Sequence, residues 1–328
     1  MNPAWPVSVH RMTANLPTLP FTGERFVPGA SGAIGEMWYE HWHRYHYVLP
    51  LVAGKKVLDV ACGAGYGSAL MSRRATDVCG VDISTAAITH ASSMYANRAN
   101  LQFFEASCTQ LPFDSARFEV VVSFETIEHI AEQAEFLDEI KRVLKPDGVL
   151  ILSCPNKSEY SDKRGFTNEF HVRELYRPEL EALLAPRFAR MRWLSQRNAY
   201  VSLIVPEQLE NAGGESLTVS QTASDSPVAP LPALYDVVVA GNDALAVDSL
   251  PLRISVFSDA EEWAYNDYRD TYRKYVKSAH AEMDLRARCG AFEVELKTLQ
   301  NEAATLEPVP PPAPAESWLV RTIKRLSG

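Results

Sequence analysis

The middle of this chain predicts an α/β fold built on a doubly wound, mostly parallel, Rossmann-like sheet, on three observations. Residues 57–68, VLDVACGAGYGS, run from an apolar strand into three glycines, and SALMSRRA beyond them has helical composition. Asp82 closes the next apolar run, VCGVD, 23 residues after Asp59, which is the spacing of a β-α-β crossover. From there strand-like and helix-like segments alternate as far as residue 156.

Taken in order, residues 1–35 are rich in proline early on and show little periodicity, so they read as an N-terminal arm. From Glu36 to Val52 the chain is helical in character, with Trp38, Trp42, Tyr45 and Leu49 on one stripe, placed to lie over a ligand crevice. Val57, Leu58, Val60 and Ala61 form the first strand; Gly63, Gly65 and Gly67 then free the backbone for a tight turn. Helical N–H groups left unpaired at that turn point toward a ligand, which makes this a nucleotide-binding unit. Asp82 is placed to accept hydrogen bonds from both hydroxyls of a ribose. A dinucleotide fingerprint needs glycine where Ser68 stands and an apolar residue where Asp59 stands, so a different nucleoside is favoured.

Residues 86–97 follow as a helix and 101–107 as a strand. Val120, Val121 and Val122 are the core of a fourth strand, and Phe136, Leu137, Ile140, Val143 and Leu144 form an apolar helical face. Pro146, Asp147 and Gly148 stop that helix before the strand 149–153. Arg177–Leu184 is predicted helical with Leu180, Leu183 and Leu184 inward; YVSLIVP (200–206) is the expected sixth strand. Residues 207–233 are read as a flexible insertion, and LYDVVVAG (234–241) with RISVF (253–257) as the strands that complete a seven-stranded sheet.

The domain so defined spans 36–258, and the remainder changes character. Residues 259–306 carry Leu285, Cys289, Phe292, Leu296, Leu299, Ala303 and Leu306 at alternating spacings of four and three, a short heptad seam that predicts a helical coiled-coil extension. Packing of that helix on its own domain is the competing reading. Residues 307–315, EPVPPPAPA, form a stiff linker, and 316–328 an amphipathic helix with Trp318, Leu319, Ile323 and Leu326 opposite Arg321, Lys324 and Arg325.

A net charge of −9 and pI near 5.5 disfavour a nucleic-acid partner, which needs a basic surface. The five cysteines show no paired spacing, as expected of a reducing cytoplasm, and no signal peptide or membrane span is expected. No metal site is expected either, because His41 and His43 stand two apart and cannot share a helical face with each other.

Those motifs resemble the class I S-adenosylmethionine (SAM) methyltransferases, whose first motif is hydrophobic–Asp–hydrophobic–hydrophobic followed by G-x-G-x-G. The resemblance covers roughly residues 50–205 and implies SAM as cofactor, bound by Asp59, Gly63, Gly65, Asp82, Ile83, Ser107 and Phe124. Ser107 stands where the family usually has an acidic residue near the adenine. EHWHRY (40–45) and NEFHVRE (168–174) are similar to stretches of bacterial surface-glycan (O-antigen and lipopolysaccharide) methyltransferases, which implies that Arg44 and Tyr45 reach the methionine carboxylate and that His171 and Arg173 lie at the substrate mouth. Glu128 and His129 follow the fourth strand, whose C-terminal end faces the ligand crevice. A neutral His129 imidazole is suited to take a proton from an acceptor hydroxyl, with Glu128 and His171 beside it; bracing of the loop by the Glu-His pair is the structural alternative.

The expected function is therefore O-methylation of a sugar on a bacterial surface glycan. Methylation of a small, quinone-like lipophilic metabolite and a non-catalytic SAM-binding scaffold are the alternatives. The helical segment implies a homo-oligomer or a glycosyltransferase partner, and the terminal helix peripheral contact with the inner face of the cytoplasmic membrane.

Overall fold

A computed structural model describes Leu19 and residues 25–28, 35–199, 219–220, 223–227, 232–259, 262–305 and 318–327. The chain divides into two units between Ser258 and Asp259. In the first, β1 (Lys56–Val60), β2 (Asp77–Asp82), β3 (Leu101–Glu105), β4 (Phe118–Phe124) and β5 (Leu144–Pro155) run parallel. The sheet is completed by β6 (Arg190–Gln196) and β9 (Tyr235–Gly241), with β9 antiparallel to both of its neighbours in the order β3-β2-β1-β4-β5-β9-β6. This is the predicted doubly wound, Rossmann-like methyltransferase sheet.

Side-chain alternation divides the core in two. Val57, Val78, Val120, Val122, Ile151 and Val239 face one layer, where α1 (Glu36–Val48), α2 (Tyr66–Met71), α3 (Thr85–Met94) and α6 (Ala244–Asp248) pack. Leu58, Val81, Val121, Leu150 and Val238 face the other, against α4 (Gln133–Val143) and α5 (Arg177–Leu184). Because both faces are covered, the central strands read as unbroken apolar runs. Local caps agree with the pattern: Ser84 accepts from the N–H of Ala87 at 3.3 Å, and Asp243 from that of Ala246 at 2.9 Å.

At the sheet edge and after β9 the structure differs from expectation. The sixth strand predicted at 200–206 lies outside the described residues, and the strand paired to β9 is instead Arg190–Gln196. RISVF is not a strand; it lies across α1, with Tyr47 and Arg253 bonded backbone to hydroxyl in both directions at 3.1 Å, Ser255 bonded to His43, and Phe257 stacked on the His43 ring. Within the predicted insertion, the described residues form a hairpin of β7 (Val219–Ser220) and β8 (Ala223–Pro227).

The second unit contains α7 (Trp263–Thr305) and α8 (Trp318–Leu326). At 43 residues, α7 extends about 65 Å. Its seam residues Leu285, Phe292, Leu296 and Leu299 are exposed. No helix among the described residues is long and apolar enough to cross a membrane.

Candidate cofactor and acceptor site

The glycine loop is built from below. Asp59, fully buried in β1, accepts hydrogen bonds from Ser68 Oγ at 2.6 Å and Tyr45 Oη at 3.1 Å, which ties α1 and α2 to the strand. Burial pushes its carboxyl up to about 7 against the pull of those two hydroxyls. Gly65 takes a left-handed conformation (φ 77°), and a side chain there would meet Ala91 and the Phe103 ring. A Cβ on Gly67 would run into the ring of Tyr45.

At the end of β2, Asp82 is held from both sides. Its Oδ2 accepts from the N–H of Gly63 and its Oδ1 from that of Ser84, each at 2.9 Å, and Arg25 of the N-terminal arm lies 3.5 Å from Oδ1. Two backbone donors fix the carboxylate and leave lone pairs for further hydroxyls. Ile83 beside it is exposed, an apolar surface at a strand end. Ser107, just past β3, is bonded to Thr109 through both its hydroxyl and the Thr109 N–H, while the N–H of Ala106 reaches the Asp82 carbonyl.

Asp82, Gly63, Tyr45 and Phe124 line a cleft of about 340 Å³ together with Glu125, His129, His171 and Tyr160. The part around the two histidines is stitched together by the backbone. Residues Ile127–His129 make one tight turn after β4, and the Glu128 carbonyl accepts from the N–H groups of Val172 (2.8 Å) and Arg173 (3.0 Å). Gln133 donates to the carbonyls of Ile127 and Arg173 from beneath. The FHVRE stretch is thereby bound to the Glu-His turn 40 residues earlier. His129 and His171 meet edge to face with ring centres 4.9 Å apart, and Glu128 is buried below them.

The structure thus brings Glu128, His129 and His171 together and sets Tyr45, Gly63, Asp82 and Phe124 in the same cleft, with Asp59 supporting the loop from beneath. Arg44 is buried behind the cleft, ion-paired to Glu125 at 3.4 Å, bonded to Gln196 at 2.5 Å and stacked on Tyr235, so it braces α1 against β6 and β9. Arg173 points away to Glu179, at 3.7 Å. His41, His43 and His46 disperse, His41 to the Tyr66 hydroxyl and His43 to Ser255. Sequence reasoning missed Arg25, Tyr160 and Glu174. For Arg25 the available signal was a charged pair, Glu24–Arg25, just ahead of apolar Phe26 and Val27 in the arm.

The site fits SAM on its own geometry: a glycine turn that admits close backbone approach, a fixed carboxylate for ribose hydroxyls, an exposed apolar residue beside it, and aromatic rings for a sulfonium. Comparison with known proteins agrees. Residues 58–152 match a family described as a methyltransferase domain. A probable SAM-dependent methyltransferase of Mycobacterium tuberculosis is 32% identical over 254 residues, 73% of this chain and 90% of its own length. Another from Mycolicibacterium smegmatis is 38% identical over 51% of this chain, which spans 63% of that relative's length. A ubiquinone biosynthesis O-methyltransferase of Psychrobacter arcticus is 37% identical over 34% of this chain and 44% of its own. The chain belongs to the SAM-dependent methyltransferases. Its cofactor is SAM, and its reaction transfers the methyl group of that cofactor.

Proposed function

We propose that the acceptor is a hydroxyl oxygen on a sugar of a bacterial surface glycan. The observation that carries this reading is the Glu128–His129–His171 cluster, whose two histidines line the same cleft as Asp82. When bound, SAM supplies a methyl carbon activated by the adjacent sulfonium. Asp82 would hold its ribose, Ile83 and Ser107 would flank its adenine, and the backbone at Gly63 and Gly65 would approach its methionine part. The remaining task is to align a hydroxyl and dispose of its proton, and the cluster supplies two imidazoles and a carboxylate for it. Glu125, Tyr160 and the two histidines give the mouth a hydrogen-bonding character suited to a polyol.

A lipophilic phenol of the quinone-precursor type is the second reading, favoured by the similarity to a ubiquinone biosynthesis O-methyltransferase. Incubation with methyl-labelled SAM and extracts separated into lipid-linked glycan and quinone fractions tests the choice. Label in an ether-linked methyl of the glycan fraction is expected; label confined to the quinone fraction would transfer the assignment to the second reading.

The domain organisation proposed with this function is a catalytic domain over 36–258, a helical segment over 259–306, a Pro-rich linker over 307–315 and a terminal helix over 316–328. The exposed seam of α7 is suited to self-association or to a glycosyltransferase partner, and α8, apolar on one side and basic on the other, to the inner face of the cytoplasmic membrane.

A further inference from the structure

We propose that Glu128, His129 and His171 hold a divalent first-row transition-metal ion at the acceptor part of the cleft. The three residues each offer a ligating atom, all within 4.8 Å of one another, with the Glu128 carboxylate buried and both rings bordering the cleft. Ligands to one such ion sit about 2.0–2.2 Å from it, so closure needs about an ångström of inward movement by side chains.

The hydrogen bonds around the rings point to the nitrogen of each that would ligate. His129 Nδ1 lies 3.0 Å from the Phe170 carbonyl, which can only accept, so Nδ1 carries a proton and Nε2 is the nitrogen left to ligate. His171 Nδ1 lies 2.6 Å from Glu174 Oε1, a carboxylate held in turn by Ser161 Oγ at 2.5 Å. The other nitrogen of His171 accepts from the Asn168 amide at 3.0 Å, and that amide is oriented by the N–H of Phe170 on its oxygen. In each ring Nδ1–H is bonded to an oxygen outside the cluster, so Nε2 is the nitrogen through which either ring would ligate, that of His171 in exchange for the Asn168 amide. His129 Nε2 is already 3.9 Å from Glu128 Oε1. Carboxylate or carbonyl support of the distal N–H is the arrangement that fixes metal-binding histidines. The Asn168 amide is a neutral donor that a cation would displace from His171.

Two imidazoles and one carboxylate favour a transition-metal ion over Mg²⁺ or Ca²⁺, and three protein ligands leave positions open to substrate. The catalytic consequence rests on the reading of the acceptor as a hydroxyl; the site itself does not. A hydroxyl that coordinates the cation is acidified. Its proton passes to water at the cleft mouth, its oxygen forms the bond to the methyl carbon, and the carbon–sulfur bond breaks with its electron pair kept by sulfur. Glu174 is then a positioning residue for His171.

Mn²⁺ titration of the untagged full chain, followed by the loss of the free-ion electron paramagnetic resonance signal, tests the site. One Mn²⁺ per chain is expected. His171→Ala should weaken uptake at least tenfold, and Glu174→Gln by roughly 10–100-fold. Both variants stay clear of the buried Glu128 carboxylate, so the test does not depend on Glu128→Gln folding. Calorimetry with SAM on the same samples serves as the folding control and keeps the two claims apart. Wild-type chain that binds SAM but takes up Mn²⁺ and Zn²⁺ no better than His171→Ala would overturn the cation site and leave the methyltransferase assignment standing.

Discussion

Asp59 shows how one residue serves both fold and site. Its carboxylate anchors Tyr45 and Ser68 beneath the glycine loop at the cost of losing its hydration. In the folded chain its pKa is raised to about 7 and that of Glu40, buried beside Arg44 and Tyr235, also to about 7, both mainly by burial. Unfolded carboxyls titrate near pH 4, so between about pH 4 and 7 the folded state holds protons that the unfolded state has released. At these two carboxyls the unfolded state binds fewer protons in that window, so their contribution to stability falls as pH rises through it, against the opposite contribution of one buried imidazole, His41, whose pKa burial lowers to about 3. Denaturant unfolding of the SAM-free protein at pH 5 and 7.5 should show lower stability at the higher pH, with a smaller difference in Asp59→Asn; an equal difference in the variant would mean that Asp59 is ionised throughout. At this scale the sequence was informative wherever a residue type and its spacing carry the chemistry, as at Gly65 and Asp82. It was silent where the partner is distant: nothing local reveals that Arg44 meets Glu125 and Gln196, or that Arg25 reaches Asp82.

Elements were legible in proportion to their burial. The parallel strands β1, β2, β4 and β5 are covered on both faces, so apolar density alone locates them. β6 was missed because it is an edge strand with arginines on it: Arg190 pairs with Asp248 at 2.9 Å, and Arg192 donates to the carbonyls of Val247, Asp248 and Leu250. RISVF misled for the converse reason, being apolar in composition although Ile254 and Val256 are exposed. The long helix α7 follows its heptads, yet its seam residues stay exposed in a single chain, which is the physical motive for a partner. A chain cut after Asp259 should therefore be monomeric by light scattering while the full chain is not, and should lose flotation with anionic liposomes that the full chain shows. Equal mass and equal flotation for both forms would assign no assembly or membrane role to residues 260–328.

Over the whole molecule, the sheet order places the C-terminal ends of β1, β2 and β4 around one cleft. Asp82 and the glycine loop form one part of its lining, and His129 and His171, with Glu128 buried below them, form a second. The first part was readable because nucleoside binding depends on a local strand–loop–helix unit. The second depends on FHVRE, which reaches the Glu-His turn only through hydrogen bonds made across the fold. The structure also gives Asp82 a role the sequence does not reveal, as the acceptor for the Gly63 and Ser84 N–H groups, so its replacement loosens the loop as well as removing the ribose acceptor. The central claim, that this cleft is where SAM binds, is tested most directly by calorimetric titration of SAM into the wild-type chain and Asp82→Ala. Hydrogen bonds to a charged acceptor contribute about 1.5–3 kcal/mol each, so the variant, still folded by circular dichroism, should bind at least about tenfold more weakly. Unchanged affinity in the folded variant would contradict the account.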